Sequence, residues 1–329
     1  MNTMRAIEVA RFGGPEVLVP TDLPDPVPGP GEVLLAVTAI DVMFVDILVR
    51  SGLGKDFFPI RPPYVPGNGV GGQVVSVGDG VEDGWLGRRV IAHTGGPGGW
   101  GGYAERAVAP ADELVAVPDG VDPLEAVAVL HDGPTALRIV ELARVEPGQR
   151  VLVLGAAGAM GILLVQLLRA RGARVVGAAR GKAKLDAVAA VGAEAVVDYS
   201  LPGWTDQVLE ATSAARPDVV LDGVGGTLGL DAYGLVADGG HFSAHGTPSG
   251  SFAQVDPDEA RRRAVTITGI GDLRIPAAER TRLARDLLPA LGRRLHPVIG
   301  QTFPLDEAAR AHAALENRDS VAKTVLTVG

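Results

Sequence analysis

Val151-Leu152-Val153-Leu154 runs into Gly155-Ala156-Ala157-Gly158-Ala159-Met160-Gly161 and then into a helix-like stretch over 162–171. Strand, glycine turn and helix in that order make a seat for phosphate. Gly155 permits a tight turn, Gly158 lets the backbone approach a pyrophosphate, and Gly161 lets the helix pack close to the strand. The first N–H groups of such a helix have no carbonyl partner within it and face an anion.

A second signal follows the next strand. Arg174-Val175-Val176-Gly177 leads to Ala178-Ala179-Arg180-Gly181-Lys182-Ala183-Lys184, with no acid before Asp186. An Asp or Glu at this strand end would hold the ribose hydroxyls of NAD. Arg180, Lys182 and Lys184 instead suit a 2′-phosphate, Arg180 by a forked contact and the lysines as point charges. The expected cofactor is NADPH.

These groups need elements to hold them. Up to about residue 120, short β-branched runs at 31–37, 71–77, 88–92 and 104–108 alternate with Gly and Pro clusters and read as strands of an all-β region. From Pro123 the pattern changes to Ala/Leu helices between single apolar strands at 151–154, 174–176, 195–197, 219–221 and 265–269. That alternation predicts a parallel sheet with crossover helices. The tail reads as a helix over 276–293, a helix over 306–317 and a last strand over 323–328, rejoining the first region.

Composition narrows the class. A chain of 329 residues, 47% hydrophobic and 21% charged, is long enough for two domains with a buried core. A net charge of -9 disfavours nucleic acid and anionic membranes as partners and favours a small molecule. With no Cys, disulfides, thiolate nucleophiles and Cys-ligated metal are excluded, which suits a reducing cytoplasm. No signal peptide or membrane span is legible, because the apolar run near 151–168 is broken by glycines. No Gly-x-Ser-x-Gly elbow or Walker loop is present, against hydrolase and kinase readings. Arg261-Arg262-Arg263 reads as a solvated helix end, and the histidines other than His131 show no ligand spacing.

Over nearly its whole length the chain resembles the medium-chain dehydrogenase/reductase superfamily, and within it the zinc-independent quinone oxidoreductases related to zeta-crystallin. The resemblance is carried by Met4-Arg5-Ala6-Ile7, by Phe12-Gly13-Gly14-Pro15-Glu16-Val17-Leu18 and by Pro28-Gly29-Pro30-Gly31-Glu32-Val33-Leu34. Phe44-Val45-Asp46, Arg50-Ser51-Gly52, Pro63-Tyr64-Val65-Pro66-Gly67 and Gly101-Gly102-Tyr103-Ala104-Glu105 continue it. Gly133-Pro134-Thr135-Ala136, Gly148-Gln149 and Gln166 surround the glycine turn, in which Ala159 departs from the family's second consecutive Gly. The resemblance implies an α/β fold: a Rossmann doubly wound parallel sheet over 125–270 plus a GroES-like β-rich domain over 1–124 and 271–329, with the active site in the cleft between them.

It also implies roles for residues. Thr135 would meet the nicotinamide; Gly155, Gly158, Ala159, Met160 and Gly161 the pyrophosphate; Arg180, Lys184 and Tyr199 the 2′-phosphate and adenine end. Val224, within Asp222-Gly223-Val224-Gly225-Gly226, and His245 and Gly246 belong to loops beside the dinucleotide, and Lys323 matches a lysine near the cofactor. Surface or loop roles remain the alternative for Tyr199, His245 and Lys323.

Zinc-dependent relatives place a catalytic ion where this chain has Met43, Asn68 and His131. A thioether, an amide and one imidazole do not make a tetrahedral zinc site, so a metal-free mechanism is expected. A quinone or enone accepts hydride without a Lewis acid because it delocalises the charge itself. His131 is the candidate proton donor and Asn68 the candidate hydrogen-bond donor to a carbonyl, with a packed histidine and a loop-shaping asparagine as the alternatives. The family's usual Asn and Tyr are replaced by Met43 and Leu48. Asp41, Met43 and Phe44 are therefore expected to line a more apolar substrate pocket over Tyr64, with Asp46 structural and Trp100 as an anchor on a Gly-rich lid over 95–102. The expected activity is NADPH-dependent reduction of a quinone or other conjugated carbonyl by a homodimer. An enoyl reductase tailoring a secondary metabolite and a catalytically idle NADPH-binding protein are the alternatives.

Overall fold

The computed structural model describes residues 2–54, 58–95 and 101–329. In chain order the first strands are β1 (Thr3–Val9), β2 (Leu18–Pro24) and β3 (Glu32–Val42), followed by helix α1 (Phe44–Ser51). Then come β4 (Gly69–Val77), β5 (Arg89–His93), β6 (Arg106–Pro110), β7 (Val115–Ala116) and α2 (Pro123–Ala128). The middle of the chain forms α3 (Asp132–Leu142), β8 (Arg150–Leu154), α4 (Ala159–Ala170), β9 (Arg174–Ala179), α5 (Lys182–Ala190), β10 (Ala195–Asp198) and α6 (Trp204–Ala211). It continues with β11 (Val219–Asp222), α7 (Gly226–Leu235), β12 (His241–Ala244), α8 (Pro257–Arg262) and β13 (Thr266–Gly269). The tail holds α9 (Ala277–Leu287), β14 (Ile299–Pro304), α10 (Ala308–Glu316) and β15 (Lys323–Thr327). These elements gather into two compact units, Met1–His131 with Pro276–Gly329, and Asp132–Ile275. The divisions fall a few residues beyond the domain limits drawn on sequence.

The first unit is β-rich. Among the described residues its main sheet runs β14-β15-β3-β4-β5-β7, with β6 also on β3, and β1 pairs with β2 in a separate ribbon. The long strand β3 is buried along most of its length, which explains its nearly unbroken apolar sequence. The tail joins this sheet because β15 lies antiparallel to β3, with Val325 opposite Asp41. Strands β3, β4 and β6 enclose a core that includes Val33, Leu35, Ile40, Val70 and Tyr103. Asp122 caps α2 by accepting from the N–H groups of Leu124 and Glu125, with Pro123 in the first turn. That short helix delivers the chain to His131.

The second unit carries a sheet in the order β10-β9-β8-β11-β12-β13, and each neighbouring pair is parallel. The order reverses between β8 and β11, which opens a crevice at the carboxyl ends of these strands. Leu152, Val176, Val220 and Phe242 are buried at the centre, as a parallel sheet covered by helices on both faces requires. This is the doubly wound sheet expected from the strand and helix alternation.

Both tail helices differ in their bounds from the sequence expectation. The helix expected over 276–293 stops at Leu287 and tightens into a 3-10 turn, Leu288–Ala290, because Pro289 has no N–H to continue the ladder. The second tail helix begins at Ala308 after a 3-10 turn rather than at Asp306. The strands β1, β2, β7, β12 and β14 were not read from the sequence: β2 carries Pro20 and Pro24, β7 and β12 are only two and four residues long, and β14 holds only alternate half-buried residues.

Candidate active site

In the second unit, the loops at the carboxyl ends of β8, β11 and β12 meet. Gly155 turns at φ +76, and a Cβ there would press on Val224 at 3.2 Å. A Cβ on Gly161 would lie 2.4 Å from the Gly155 carbonyl oxygen, so only glycine lets α4 start this close to the turn. Gly223 and Gly246 are packed back to back, since a Cβ on Gly246 would lie 2.1 Å from the Gly223 oxygen. The expected cofactor residues Gly155, Gly158, Ala159, Met160, Gly161, Val224, His245 and Gly246 are thus brought into one region.

The polar groups there are ordered by the loops themselves. Ile162 makes the first bond of α4, to the carbonyl of Gly158, and no side chain caps the helix. The N–H groups of Ala159, Met160 and Gly161 therefore lie ahead of the intrahelical ladder and can receive an anion. The buried Asp222 accepts from Val224 and Gly225 N–H at 2.9 and 2.8 Å, fixing the loop after β11. Burial pushes its carboxyl above the usual value. His245 is buried beside Ser243, with Oγ to Nδ1 at 3.2 Å, and burial lowers its pKa to about 4. A neutral ring at this position adds no charge, and Ser243 was not singled out from sequence.

Arg180 follows β9, Lys184 lies in the first turn of α5, and Tyr199 follows β10 with its N–H on the Ala179 carbonyl at 3.2 Å. Lys182 is ion-paired with Asp186 at 2.7 Å. Asp198, not noticed in the sequence, stands near Arg180 and accepts from Gly181 N–H at 2.9 Å and Ser200 N–H at 2.9 Å. Thr135 is half-buried on α3.

The first unit holds a different cluster. Asp41, 0% exposed, receives the Lys323 ammonium on Oδ1 and His131 Nδ1 on Oδ2 at 2.8 Å. The other ring nitrogen, His131 Nε2, is 2.9 Å from Asn68 Oδ1. Burial alone would raise the Asp41 carboxyl, but the Lys323 charge and the His131 hydrogen bond hold it below the ordinary range. His93 stands edge-on to His131, ring centroids 4.5 Å apart and planes at 83°. Burial, then the neighbouring His131, drives the His93 pKa far down, so this ring is neutral. Asp41 therefore sits among ionic and imidazole partners rather than in the apolar lining expected for it. Lys323, expected beside a cofactor, is 3% exposed with its ammonium on Asp41. The histidines also cluster more than their spacing suggested.

Below this group, Met43 N–H donates to Asp46 Oδ2 at 2.8 Å, and Tyr103 donates to the same oxygen at 3.2 Å. Tyr103 is also 3.0 Å from His312 Nε2. Arg50, 1% exposed, is ion-paired with Glu316. Burial raises the Asp46 pKa to about 7 and lowers that of His312 to about 3. The expected structural role of Asp46 has this geometry, whereas Tyr103 and His312 were missed. Phe44 begins α1 and Tyr64 is half-buried with its hydroxyl pushed upward by burial. Trp100 lies outside the described residues.

A lone acid in the apolar run Ala39-Ile40-Asp41-Val42 was a usable signal, because a buried carboxylate demands a partner. Nothing local in the sequence said that the partners were His131 and Lys323.

Comparison with known proteins agrees with both units. The family model described as alcohol dehydrogenase GroES-like domain matches residues 29–119, and that described as zinc-binding dehydrogenase matches 159–281. A quinone oxidoreductase of Sus scrofa is 31% identical, covering 98% of this chain and 97% of its own. A 2-haloacrylate reductase of Burkholderia sp is 30% identical, covering 98% of each chain. A mycobacterial structure solved in complex with NADPH superposes with a TM-score of 0.87 at 33% identity, over 98% of this chain and 100% of that one. With relatives this similar along its whole length, the chain belongs to the medium-chain dehydrogenase/reductase superfamily, among its quinone oxidoreductases.

Proposed function

We propose that the protein is an NADPH-dependent reductase of quinones or related conjugated carbonyls that works without metal. The observation that carries this is the uncapped start of α4 beside the Gly155 turn, followed by Arg180 and Lys184 where an NAD enzyme would have an acid. The residues fit the dinucleotide. The N–H groups of Ala159, Met160 and Gly161 would hold its pyrophosphate, Arg180 and Lys184 its 2′-phosphate with Tyr199 at the adenine, and Thr135 its nicotinamide. Bound there, NADPH supplies hydride. The mycobacterial relative solved with NADPH supports this assignment.

Zinc does not fit. The chain has no Cys, both nitrogens of His131 are engaged by Asp41 and Asn68, and Met43 and Asn68 are weak partners for that ion. The chain's own contribution to the acceptor is therefore polar: Asn68 orients a carbonyl oxygen, and His131 gives a proton to the charge that hydride transfer creates. A relative named quinone oxidoreductase and another named 2-haloacrylate reductase support acceptors with a conjugated double bond. The second of these favours, as an alternative, an enoyl-type reduction of a carbon–carbon double bond. The protein acts as a homodimer, a reading supported by the exposed Ile267 on the edge strand β13.

The test is oxidation of NADPH and of NADH, followed by loss of nicotinamide absorbance, with benzoquinones, naphthoquinones and simple enones. Turnover preferring NADPH is expected. Tight NADPH binding without turnover of any acceptor would replace the reductase with a binding protein.

A further inference from the structure

Asp41 and Lys323 are not explained by burial of an ion pair alone. The carboxylate has two oxygens and only one meets the ammonium; the other meets His131 Nδ1 at 2.8 Å. We propose that Asp41 and Lys323 are positioning residues for the reduction, fixing Nε2 of His131 as the atom that gives up the proton. This rests on His131 being the proton donor.

A carboxylate only accepts hydrogen bonds, so Nδ1 must keep its hydrogen whether the ring is charged or neutral. The proton that comes and goes is then the one on Nε2, which faces Asn68 at 2.9 Å. Asn68 can serve both states of the ring. Its Oδ1 accepts while Nε2–H is present, and the amide turned over donates Nδ2–H once Nε2 is bare. Lys323 keeps the fully buried Asp41 ionised; unpaired, that carboxylate would take a proton and could then no longer dictate the tautomer.

The ring is also held in orientation. The edge-on His93 lies on one side, and Gly69 leaves no space beyond a hydrogen on another. The groups facing His131 from the packed elements are thus Asp41 with Lys323, Asn68 and His93, with Glu113 and Arg280 behind His93. In the step itself the hydride and its electron pair pass from NADPH to the acceptor. As the Asn68 amide turns over and releases Nε2–H, that bond breaks while an O–H or C–H bond forms on the acceptor, NADP+ remains, and solvent at the half-buried ring reprotonates it.

The test is the double substitution D41N/K323M, which removes both charges and leaves no lone ion in the core, alongside H131Q. Long-range proton–nitrogen spectra read the tautomer of His131, assigned by the signal lost in H131Q, and kinetics give kcat and KM for NADPH and a quinone. In the native protein Nδ1 should be protonated. In D41N/K323M the ring should lose that fixed tautomer and kcat should fall tenfold or more, with KM for NADPH within twofold. Unchanged tautomer and kcat in D41N/K323M, with kcat lost in H131Q, would reduce the pair to a structural role while sparing the proton donor. A native kcat in H131Q would overturn the donor and the positioning together. If D41N/K323M does not fold, the native spectrum decides alone: a ring protonated on Nε2 and bare on Nδ1 overturns the proposal.

Discussion

Gly69 lies against the imidazole of His131 so closely that a Cβ at position 69 would stand 2.6 Å from Cε1 and 3.0 Å from Nδ1. The ring cannot move aside freely, because Asp41 and Asn68 hold its two nitrogens and His93 lies edge-on to it. Gly69→Ala should therefore break the Asp41–His131 bond before it disturbs the fold, at a stability cost of about 1–3 kcal/mol for overpacking. The expected result is a kcat lowered about tenfold or more, as for loss of a general acid, with KM for NADPH unchanged. Steady-state kinetics with one quinone checks it, and a native kcat would show that the seat of His131 is irrelevant to turnover.

The same neighbourhood shows what sequence could and could not reveal. The glycine turn was legible because its chemistry is local: Val151 to Gly161 is one strand, one turn and one helix start, Gly155 turns at positive φ, and Gly158 and Gly161 answer to contacts inside that segment. The parallel sheet was legible for a like reason, since apolar runs such as Val219-Val220-Leu221 are buried on both faces. Asp41, His131 and Lys323 are 90 and more residues apart in the chain, and their meeting depends on β15 pairing with β3, which no local pattern encodes. His93 beside His131 and Tyr103 beside His312 were hidden in the same way.

Asp46 makes stability depend on pH in an unusual direction for a carboxylate. Burial raises its pKa from 3.8 to about 7 in the folded protein, despite hydrogen bonds from Met43 N–H and Tyr103. The folded state then holds a proton that the unfolded state releases near pH 4, so this contribution is fully present below that pH and is lost as pH rises through about 7. Asp46→Asn keeps an acceptor for Met43 and Tyr103 and does not titrate. The melting temperature of D46N minus that of the native protein should therefore grow more positive between pH 5 and pH 8. Thermal melts at both values check it, and a difference that does not change with pH would mean that Asp46 ionises normally.

The edge of the parallel sheet carries the dimer reading. Among the described residues β13 pairs only with β12, and Ile267 on it and Ile270 after it are 39% and 51% exposed. An unpaired edge with apolar side chains is a template for a second copy. Sedimentation should give a dimer for the native protein and a monomer for the double variant I267E/I270E, with the isolated fold retained by circular dichroism. A native monomer would remove the homodimer.

The choice between NADPH and NADH should rest on two of the three cations after β9. Lys182 is held to Asp186 at 2.7 Å along its own exposed helix turn. Arg180 is exposed at the end of β9, on the side where the strands of this sheet open their crevice. Arg180→Ala with Lys184→Ala removes charge-assisted contacts worth roughly 1.5–3 kcal/mol each with a phosphate, and should raise KM for NADPH tenfold or more. KM for NADH should hardly change, because that cofactor has no 2′-phosphate to lose. Lys182→Ala should have a much smaller effect on NADPH than either of the other two. Equal weakening of both cofactors in R180A/K184A would mean that these residues support the loop rather than read the phosphate, and the preference for NADPH would then have to arise elsewhere in the second unit.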